Sequence, residues 1–126
     1  MWTLARSVAI AIILGAATQV AEAARVQASF WVSPKGSDAN PGTRAKPFAT
    51  IERARGAARH VNGNMMQDIV VVLRGGTYQL TETLRLDARD SGTNGHDVIY
   101  RAYPGETPVI SGGRQIVGWA EDADGH

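Results

Sequence analysis

The sequence predicts a fold built mainly from β-strands, with a single amphipathic helix near its beginning. Only the segment from Thr50 to Val61 repeats apolar residues at steps of three and four, which is the period of a helix. From Asp68 onward the apolar residues occur in short runs, and residues typical of turns close each run. The 126 residues include no cysteine, so burial of apolar surface has to hold this fold without disulfide bonds.

The first residues predict a signal peptide that is not part of the fold. The basic start Met1–Arg6 precedes an apolar run over Val8–Ala17, and Ala21-Glu22-Ala23 supplies the small residues that a signal peptidase recognises. The apolar run is shorter than a stable membrane-spanning helix, which argues against a retained anchor. We expect cleavage of residues 1–23 after Ala23, with Val26-Gln27-Ala28 as the second choice. The mature chain, residues 24–126, is then secreted or periplasmic and does not stay in the membrane.

The mature chain begins with a short apolar strand at Phe30–Val32, a turn-rich loop and the amphipathic helix. The hydroxyl of Thr50 can cap this helix. The residues expected on its apolar face are Ile51, Ala54, Ala58 and Val61. Asn62-Gly63-Asn64 is expected to end the helix, because glycine and asparagine accept the left-handed conformation. A helix of this kind needs an apolar surface to pack against.

Four later apolar runs predict strands, at Ile69–Leu73, Leu80–Leu86, Val98–Tyr103 and Val109–Ser111. Ile69–Leu73 is apolar at every position, which is typical of a strand covered on both faces in a parallel sheet. Parallel neighbours normally need a crossover helix, however, and no second helical pattern lies between the later strands. The residues alone therefore leave two architectures open: a small antiparallel sandwich or barrel, and a β-solenoid.

The charge balance restricts the expected partners. Thirteen basic residues stand against twelve acidic ones, and the sequence contains no run of like charges. We therefore expect neither nucleic acid nor an anionic membrane surface as a partner.

Several motifs along the mature chain occur in an order that resembles one family. They are Val32-Ser33-Pro34, the loop Gly36–Thr43, Pro47-Phe48-Ala49-Thr50-Ile51 with the alanine-rich helix, Gly76-Thr77-Tyr78, Ser91-Gly92-Thr93 and Ala102–Gly113. This order resembles the N-terminal cap and first coils of secreted right-handed parallel β-helix proteins of the pectate-lyase-like superfamily. The resemblance implies an all-β, single-stranded solenoid of the pectin-lyase type. Residues 24–126 would form only its N-terminal portion, one or two coils capped by the helix.

The resemblance also implies a role in carbohydrate chemistry. Ala102–Gly113 with Trp119 favours the glycoside-hydrolase-like members, and polysaccharide lyases belong to the same superfamily. We expect a fragment of an exported polysaccharide-degrading enzyme whose catalytic coils lie beyond His126. This chain alone would then be inactive and, with its last coil uncovered, only marginally stable. The alternative is a non-catalytic exported module, a polysaccharide-binding or cell-surface β-solenoid. In both cases the expected partner is a polysaccharide or oligosaccharide.

No metal-binding or cofactor-binding residue is assigned from the sequence. Asp38 and Asn40 offer oxygen ligands, and calcium is used by lyases of the superfamily, but a calcium site needs roughly six to eight ligands and Asx turns explain both residues. His60, His96 and His126 lie too far apart in the sequence to form a local metal motif.

No catalytic residue is assigned either, because each candidate also has a structural explanation. Asp87, Asp90 and Asp97 near His96 have the residue types of an acid–base pair for glycoside cleavage, yet turns and caps use the same residues. Candidates for binding a sugar acid, or simply for solubility, are Arg74, Arg85 and Arg101. Candidates for stacking on sugar rings, or for packing, are Trp31, Tyr78, Tyr100, Tyr103 and Trp119. Gly75-Gly76 and Gly112-Gly113 lack the lysine and helix of a phosphate-binding loop and are interpreted as turns.

Overall fold

The computed structural model describes residues 26–118 and residue 120, and the predicted signal peptide lies outside them. In chain order the elements are strand β1 (Val26–Val32), helix α1 (Ile51–Arg59), strands β2 (Asp68–Leu73) and β3 (Gly76–Gln79), a short 3-10 helix (Ala88–Asp90), and strands β4 (Val98–Ala102) and β5 (Pro108–Ser111). The prediction of a mainly β fold with one amphipathic helix is confirmed for this part of the chain.

The strands form two sheets in which every neighbouring pair is parallel. One sheet has the order β1-β2-β4, and the other pairs β3 with β5. The succession β2, β3 is thus repeated by β4, β5, and each later strand lies beside its earlier counterpart, as successive coils of a solenoid do. The antiparallel sandwich is therefore wrong for the described residues, and these strands do not close into a barrel.

Three segments differ from the strands that the sequence predicts. Strand β1 begins at Val26, four residues before the predicted start at Phe30. Leu80–Leu86 is not a strand, and β3 occupies Gly76–Gln79, which the sequence assigns to a turn. The reason is that Tyr78 turns into the core, where its hydroxyl lies 3.0 Å from the Val32 carbonyl oxygen and 2.7 Å from that of Arg74 and can donate to either. Burial raises the pKa of Tyr78 to about 12.

Strand β2 lies at the centre of the core. It is flanked by β1 and β4, and every residue from Ile69 to Leu73 is buried. Ile69, Val71 and Leu73 belong to the core clusters, whereas Val70 and Val72 alternate to the opposite face. The strand is thus covered on both faces, as its continuous apolar sequence predicts.

Helix α1 begins where the sequence predicts but ends earlier. The Thr50 hydroxyl accepts a hydrogen bond from the Arg53 N–H at 3.2 Å, which confirms the cap. The buried residues of the helix are Ile51, Ala54, Ala57 and Ala58. Val61 is 37% exposed, contrary to the prediction, because the helix ends at Arg59 and Val61 no longer continues its apolar face. No helix in residues 26–118 is long and apolar enough to cross a membrane.

Asp38 joins the loop before the helix to the beginning of the helix. Its carboxylate accepts hydrogen bonds from the N–H groups of Ala49 and Thr50, both at 2.9 Å, and from the Thr50 hydroxyl at 2.7 Å. These partners are eleven and twelve residues away, so Asp38 makes a tertiary contact in place of the predicted local turn.

Burial decreases from strands β2 and β3 to their parallel partners β4 and β5. Tyr78 in β3 is 5% exposed, whereas Ile110, its register partner in β5, is 50% exposed. Val71 in β2 is fully buried, and its partner Tyr100 in β4 is only half-buried. Helix α1 packs with Val71 in the same core cluster. One end of the two sheets is therefore covered by the helix, and the opposite end leaves apolar side chains exposed.

Candidate functional site

The ends of three parallel strands place aromatic and charged side chains on one edge of the larger sheet. Trp31 lies near the end of β1, Arg74 directly follows β2 and Tyr103 directly follows β4. Because these strands run parallel and in register, residues from distant parts of the sequence meet at this edge. We call the group formed by Trp31, Arg44, Arg74, Tyr103 and Glu106 the strand-end surface.

Trp31 and Tyr103 pack against each other, and Arg44 lies against both rings. The ring centroids are 5.7 Å apart, with 51° between the ring planes. The Arg44 guanidinium carbon lies 5.5 Å from the Trp31 centroid and 5.7 Å from the Tyr103 centroid, within the range of cation–π contacts. Its Nη2 also donates a hydrogen bond to the Tyr103 hydroxyl at 3.1 Å. Both rings are half-buried, so part of each remains open to solvent.

Backbone hydrogen bonds fix the loop that carries Arg44 beside β1. The Trp31 N–H donates to the Gly42 carbonyl at 2.8 Å. The N–H groups of Gly42 and Thr43 both donate to the Lys46 carbonyl at 3.1 Å, which forms a tight turn around Arg44. The position of Arg44 next to the aromatic rings is therefore set by the backbone and not by side-chain contacts alone.

Arg74 and Glu106 form a two-point ion pair that joins the turn after β2 to the turn after β4. Arg74 Nε lies 2.9 Å from Glu106 Oε2, and Arg74 Nη2 lies 2.7 Å from Oε1. The Gly75 N–H donates to the same carboxylate at 2.7 Å. These hydrogen bonds lower the pKa of Glu106 to about 2, and the bonds from Arg74 have a larger effect than the bond from Gly75. Glu106 is therefore ionised at neutral pH and does not serve as a proton donor.

We expect Glu106→Gln to remove part of the acid sensitivity of folding. Because folding lowers the pKa of Glu106 from about 4.5 to about 2, its contribution to stability is complete above about pH 4.5 and is lost as the pH falls towards 2. The wild type should be more stable than the variant near neutral pH, and the difference should shrink steadily below about pH 4.5. Thermal unfolding across this pH range measures the difference.

The matched control for this prediction is Glu82→Gln. Among the described residues Glu82 has no ion pair, so its replacement should change stability little at any pH. A stability difference between the wild type and Glu106→Gln that does not vary with pH would contradict the ion-pair explanation.

A second polar feature is a cleft of about 550 Å³ between helix α1 and the segment that follows β3. Its lining residues are Arg55, Arg59, Glu82, Thr83, Arg85, Asp87 and Arg89. Arg59 donates two hydrogen bonds to Asp90, both at 2.6 Å, and Arg89 donates to Asp87 at 2.6 and 3.0 Å. The bonds from Arg59 lower the pKa of Asp90, and those from Arg89 lower the pKa of Asp87.

The carboxylates considered as an acid–base pair do not converge across a groove. Asp87 and Asp90 form the capping box of the short 3-10 helix, which is the cap role given as their structural explanation. Asp97 is exposed, and its N–H donates to Asp68 at 2.9 Å, while His96 Nδ1 lies 3.5 Å from the same Asp68 oxygen. A general acid for glycoside cleavage needs a raised pKa, so the lowered pKa values of Asp87 and Asp90 do not suit that role.

The oxygen-rich loop considered for calcium is held by protein hydrogen bonds. The Asp38 carboxylate binds the start of helix α1, as described above, and the Asn40 amide donates to the Pro47 carbonyl at 2.9 Å. Within the described ranges, no group of three or more His, Asp or Glu side chains is placed to hold a metal ion.

The other sequence candidates are dispersed. Tyr78 is buried in the core, and Tyr100 lies half-buried on the interior side of β4. The remaining positions are Arg85 in the cleft, Arg101 exposed on β4, His60 at the C-terminal cap of α1, Gly75-Gly76 and Gly112-Gly113 beside the strand ends, and Trp119 and His126 outside the described residues.

Two residues of the strand-end surface, Arg44 and Glu106, are not among the sequence candidates. Glu106 follows Arg74 by 32 positions, which is also the offset between Gly76 and its partner Pro108. Strands β2 and β4, which precede the two residues, are offset by 29 positions, so no single repeat length in the sequence pairs Arg74 with Glu106. The loop that carries Arg44 lies outside these strands, so Arg44 gives no sequence signal either.

Curated proteins similar to this chain include one bacterial and one fungal example. The uncharacterized protein YwoF of Bacillus subtilis is 40% identical over 83 residues, which is 66% of this chain and 15% of YwoF. Pectate lyase PEL9 of Emericella nidulans is 35% identical over 97 residues, which is 77% of this chain and 21% of that protein. The chain thus spans about a fifth or less of the length of these relatives. No protein-family model matches the chain.

A solved structure described as a glycoside hydrolase is similar in both sequence and backbone. It is 35% identical, with a TM-score of 0.67, and the match covers 77% of this chain and 17% of the hydrolase chain. The similarity therefore extends over most of the described residues and over a small part of the larger protein.

Proposed function

We propose that residues 24–126 form the helix-capped first coils of an exported right-handed parallel β-helix protein that degrades polysaccharides, as a glycoside hydrolase or a polysaccharide lyase. The observation that carries this proposal is the match to the glycoside hydrolase structure, at a TM-score of 0.67 and 35% identity. The parallel pairing of every strand in the described residues supports it. The 35% identity to pectate lyase PEL9 supports the same class.

Export is part of the proposal. Residues 1–23 have the basic start, apolar run and small-residue cleavage site of a signal peptide, and removal after Ala23 would deliver the chain to the periplasm or the medium. N-terminal sequencing of the product tests this step, and a mature product that still begins with Met1 would contradict it.

Further coils are proposed to stack on β4 and β5. Ile110 is 50% exposed, and the buried hydroxyl of Tyr100 has no hydrogen-bond partner among the described residues. Another coil laid on this end would bury Ile110 and cover Tyr100, just as β4 covers β2. The greater length of the relatives supports this arrangement.

The catalytic groups are proposed to lie in those further coils. Hydrolysis of a glycosidic bond requires one protonated carboxyl group and one carboxylate on opposite sides of the bond. Asp87, Asp90 and Glu106 are each held ionised by an arginine and are tied to turns. The described coils would therefore contribute stability and a polysaccharide contact rather than the reaction.

A non-catalytic exported module that binds polysaccharide is the second candidate function. The observation that favours it is the strand-end surface, where two partly exposed aromatic rings lie beside the guanidinium groups of Arg44 and Arg74. Rings and fixed polar groups of this kind bind ligands without any need for an acid or a base.

The test begins with the source DNA beyond the His126 codon, read in all three frames. The longest product is then expressed in its mature form and assayed on acidic and neutral polysaccharides, with and without calcium. Cleavage with new reducing ends and no new double bond supports a hydrolase, and cleavage that forms a double bond supports a lyase. Binding without turnover favours the module. A product that neither binds nor cleaves any polysaccharide would contradict both functions.

A further inference from the structure

We propose that the strand-end surface binds the carboxylate of a uronate unit in an acidic polysaccharide, at a place separate from any catalytic groove. This inference rests on the proposed function, and it assigns a ligand class to residues of the described coils. Arg44 makes the charged contact, and the open part of Trp31 contacts the sugar ring. The Tyr103 ring lies against the guanidinium groups of both Arg44 and Arg74, so its role is to hold Arg44 in place.

The first argument is the unused hydrogen-bonding capacity of Arg44. A guanidinium group carries five N–H donors in a planar fork that matches a carboxylate. In the described part of the chain, Arg44 donates a single side-chain hydrogen bond, to the Tyr103 hydroxyl. The residue is exposed, so its other N–H groups can donate hydrogen bonds to an anionic group in the solvent.

The second argument is the charge of the loop that carries Arg44. The basic residues of loop 33–47 are Lys35, Arg44 and Lys46, and all three are exposed. None of them forms an ion pair within residues 26–118. The loop's one acidic residue, Asp38, is engaged by N–H groups at the start of helix α1. The loop therefore presents positive charge that its own carboxylate does not cancel.

The third argument is that positive charge extends across the sheet from this loop. Arg101 on β4 and Trp31 on β1 both pair with Val72 of β2, so they lie in one row on the outer face. The spacing of strands places them about 10 Å apart at the backbone. Glu106 does not reverse this charge, because Arg74 already neutralises it. An extended acidic chain could thus run from Arg44 past Trp31 towards Arg101.

The fourth argument is preorganisation. The tight turn at Thr43–Lys46 and the bond from Trp31 to Gly42 hold the Arg44 backbone, while the ring of Tyr103 and its hydroxyl hold the guanidinium. Little side-chain freedom is then lost when a carboxylate binds, which favours affinity.

The test is a calorimetric titration of the chain with a short galacturonic acid oligomer and with its methyl ester. The two probes share the sugar and differ in charge. We expect the acid to bind, the ester to bind about tenfold more weakly or worse, and added salt to weaken binding of the acid. Arg44→Ala should weaken binding of the acid by about tenfold or more, because it removes the charged contact.

Two further variants separate the site from general charge effects. Tyr103→Phe keeps the ring but removes the hydroxyl that holds Arg44. We therefore expect the affinity for the acid to fall by roughly a few-fold. Arg85→Ala removes the same charge from the cleft and should change binding by less than about twofold. Circular dichroism verifies the fold of each variant, and Tyr103→Phe with Arg44→Lys supplies the test if Arg44→Ala does not fold.

The inference is rejected if the wild type does not bind the acid, if acid and ester bind equally, or if Arg85→Ala loses as much affinity as Arg44→Ala. These results differ from a failure of the proposed function. Cleavage by the longer product together with unchanged binding in Arg44→Ala rejects this site alone. Absence of binding and cleavage on every polysaccharide by the longer product rejects the proposed function.

Discussion

Replacement of Phe48 by alanine is expected to lower the free energy of unfolding by about 3 to 5 kcal/mol, a large part of the roughly 5 to 15 kcal/mol that stabilises an ordinary domain. The Phe48 side chain is 1% exposed and shares a core cluster with Ile51 and Val71. It stacks on Phe30 with ring centroids 6.2 Å apart, and the Arg53 guanidinium lies 4.6 Å from its centroid. Its loss leaves a cavity between the loop, the sheet and the helix.

The cavity cannot close easily, because backbone bonds hold the segment on both sides. The Phe48 N–H donates to the Trp31 carbonyl and the Phe48 carbonyl accepts from the Ser33 N–H, both at 2.9 Å. Urea unfolding followed by circular dichroism measures the effect. Leu86→Ala is the matched control, since Leu86 is 59% exposed and its truncation should cost less than about 0.5 kcal/mol. Equal losses in the two variants would show that Phe48 is not central to the core.

Gly36→Ala is expected to destabilise the same loop by about 1 to 3 kcal/mol, because the added methyl group has no space. A Cβ at this position would lie 2.3 Å from the Phe48 carbonyl oxygen and 2.6 Å from that of Pro47. Those carbonyls accept hydrogen bonds from the N–H groups of Ser33 and Ser37, at 2.9 and 3.1 Å. The methyl group can be accommodated only if this bonded backbone moves.

Gly56→Ala provides the matched control with the opposite expected sign. Gly56 lies within helix α1, and a Cβ there would meet no atom within 4 Å. Alanine should therefore stabilise the protein by about 0.5 to 1 kcal/mol, through its higher helix propensity. Thermal unfolding of both variants decides the matter. A Gly36→Ala protein as stable as the wild type would contradict the close approach of the two backbone segments.

The helix and the central strand are the elements that the sequence predicts best. Thr50 caps α1, and Ile51, Ala54 and Ala58 are buried, as their spacing indicates. The continuous apolar run at Ile69–Leu73 becomes the buried strand β2. Both predictions are correct because they depend on a few neighbouring residues, where backbone geometry fixes which side chains share a face.

Strand β3 shows why other elements escape prediction. Gly76–Gln79 contains only one large apolar residue, Tyr78, so its sequence resembles that of a turn. In the structure the two neighbours of Tyr78 are exposed. The extended conformation of the segment comes from pairing with β5, about thirty residues later, and from the burial of Tyr78. Leu80–Leu86 is the converse case, since it has apolar residues but pairs with no strand in the described residues.

The candidate site was likewise predictable only in part. Trp31, Arg74 and Tyr103 stand out individually in the sequence as possible sugar contacts, because aromatic and arginine side chains bind sugars and acids. Their meeting at one edge depends on the order β1-β2-β4 and on its register. The contributions of Arg44 and Glu106 depend on contacts made 59 and 32 residues away.

The sequence by itself determined the mainly β class of fold, the helix with its cap and the buried central strand, since each depends on residues close together in the chain. Only the tertiary structure decided that the strands stack in parallel and that Trp31, Arg44 and Tyr103 form one surface. The physical reason is that strand pairing and cation–π contacts stabilise pairs of residues far apart in sequence, and no local window records which pairs will form.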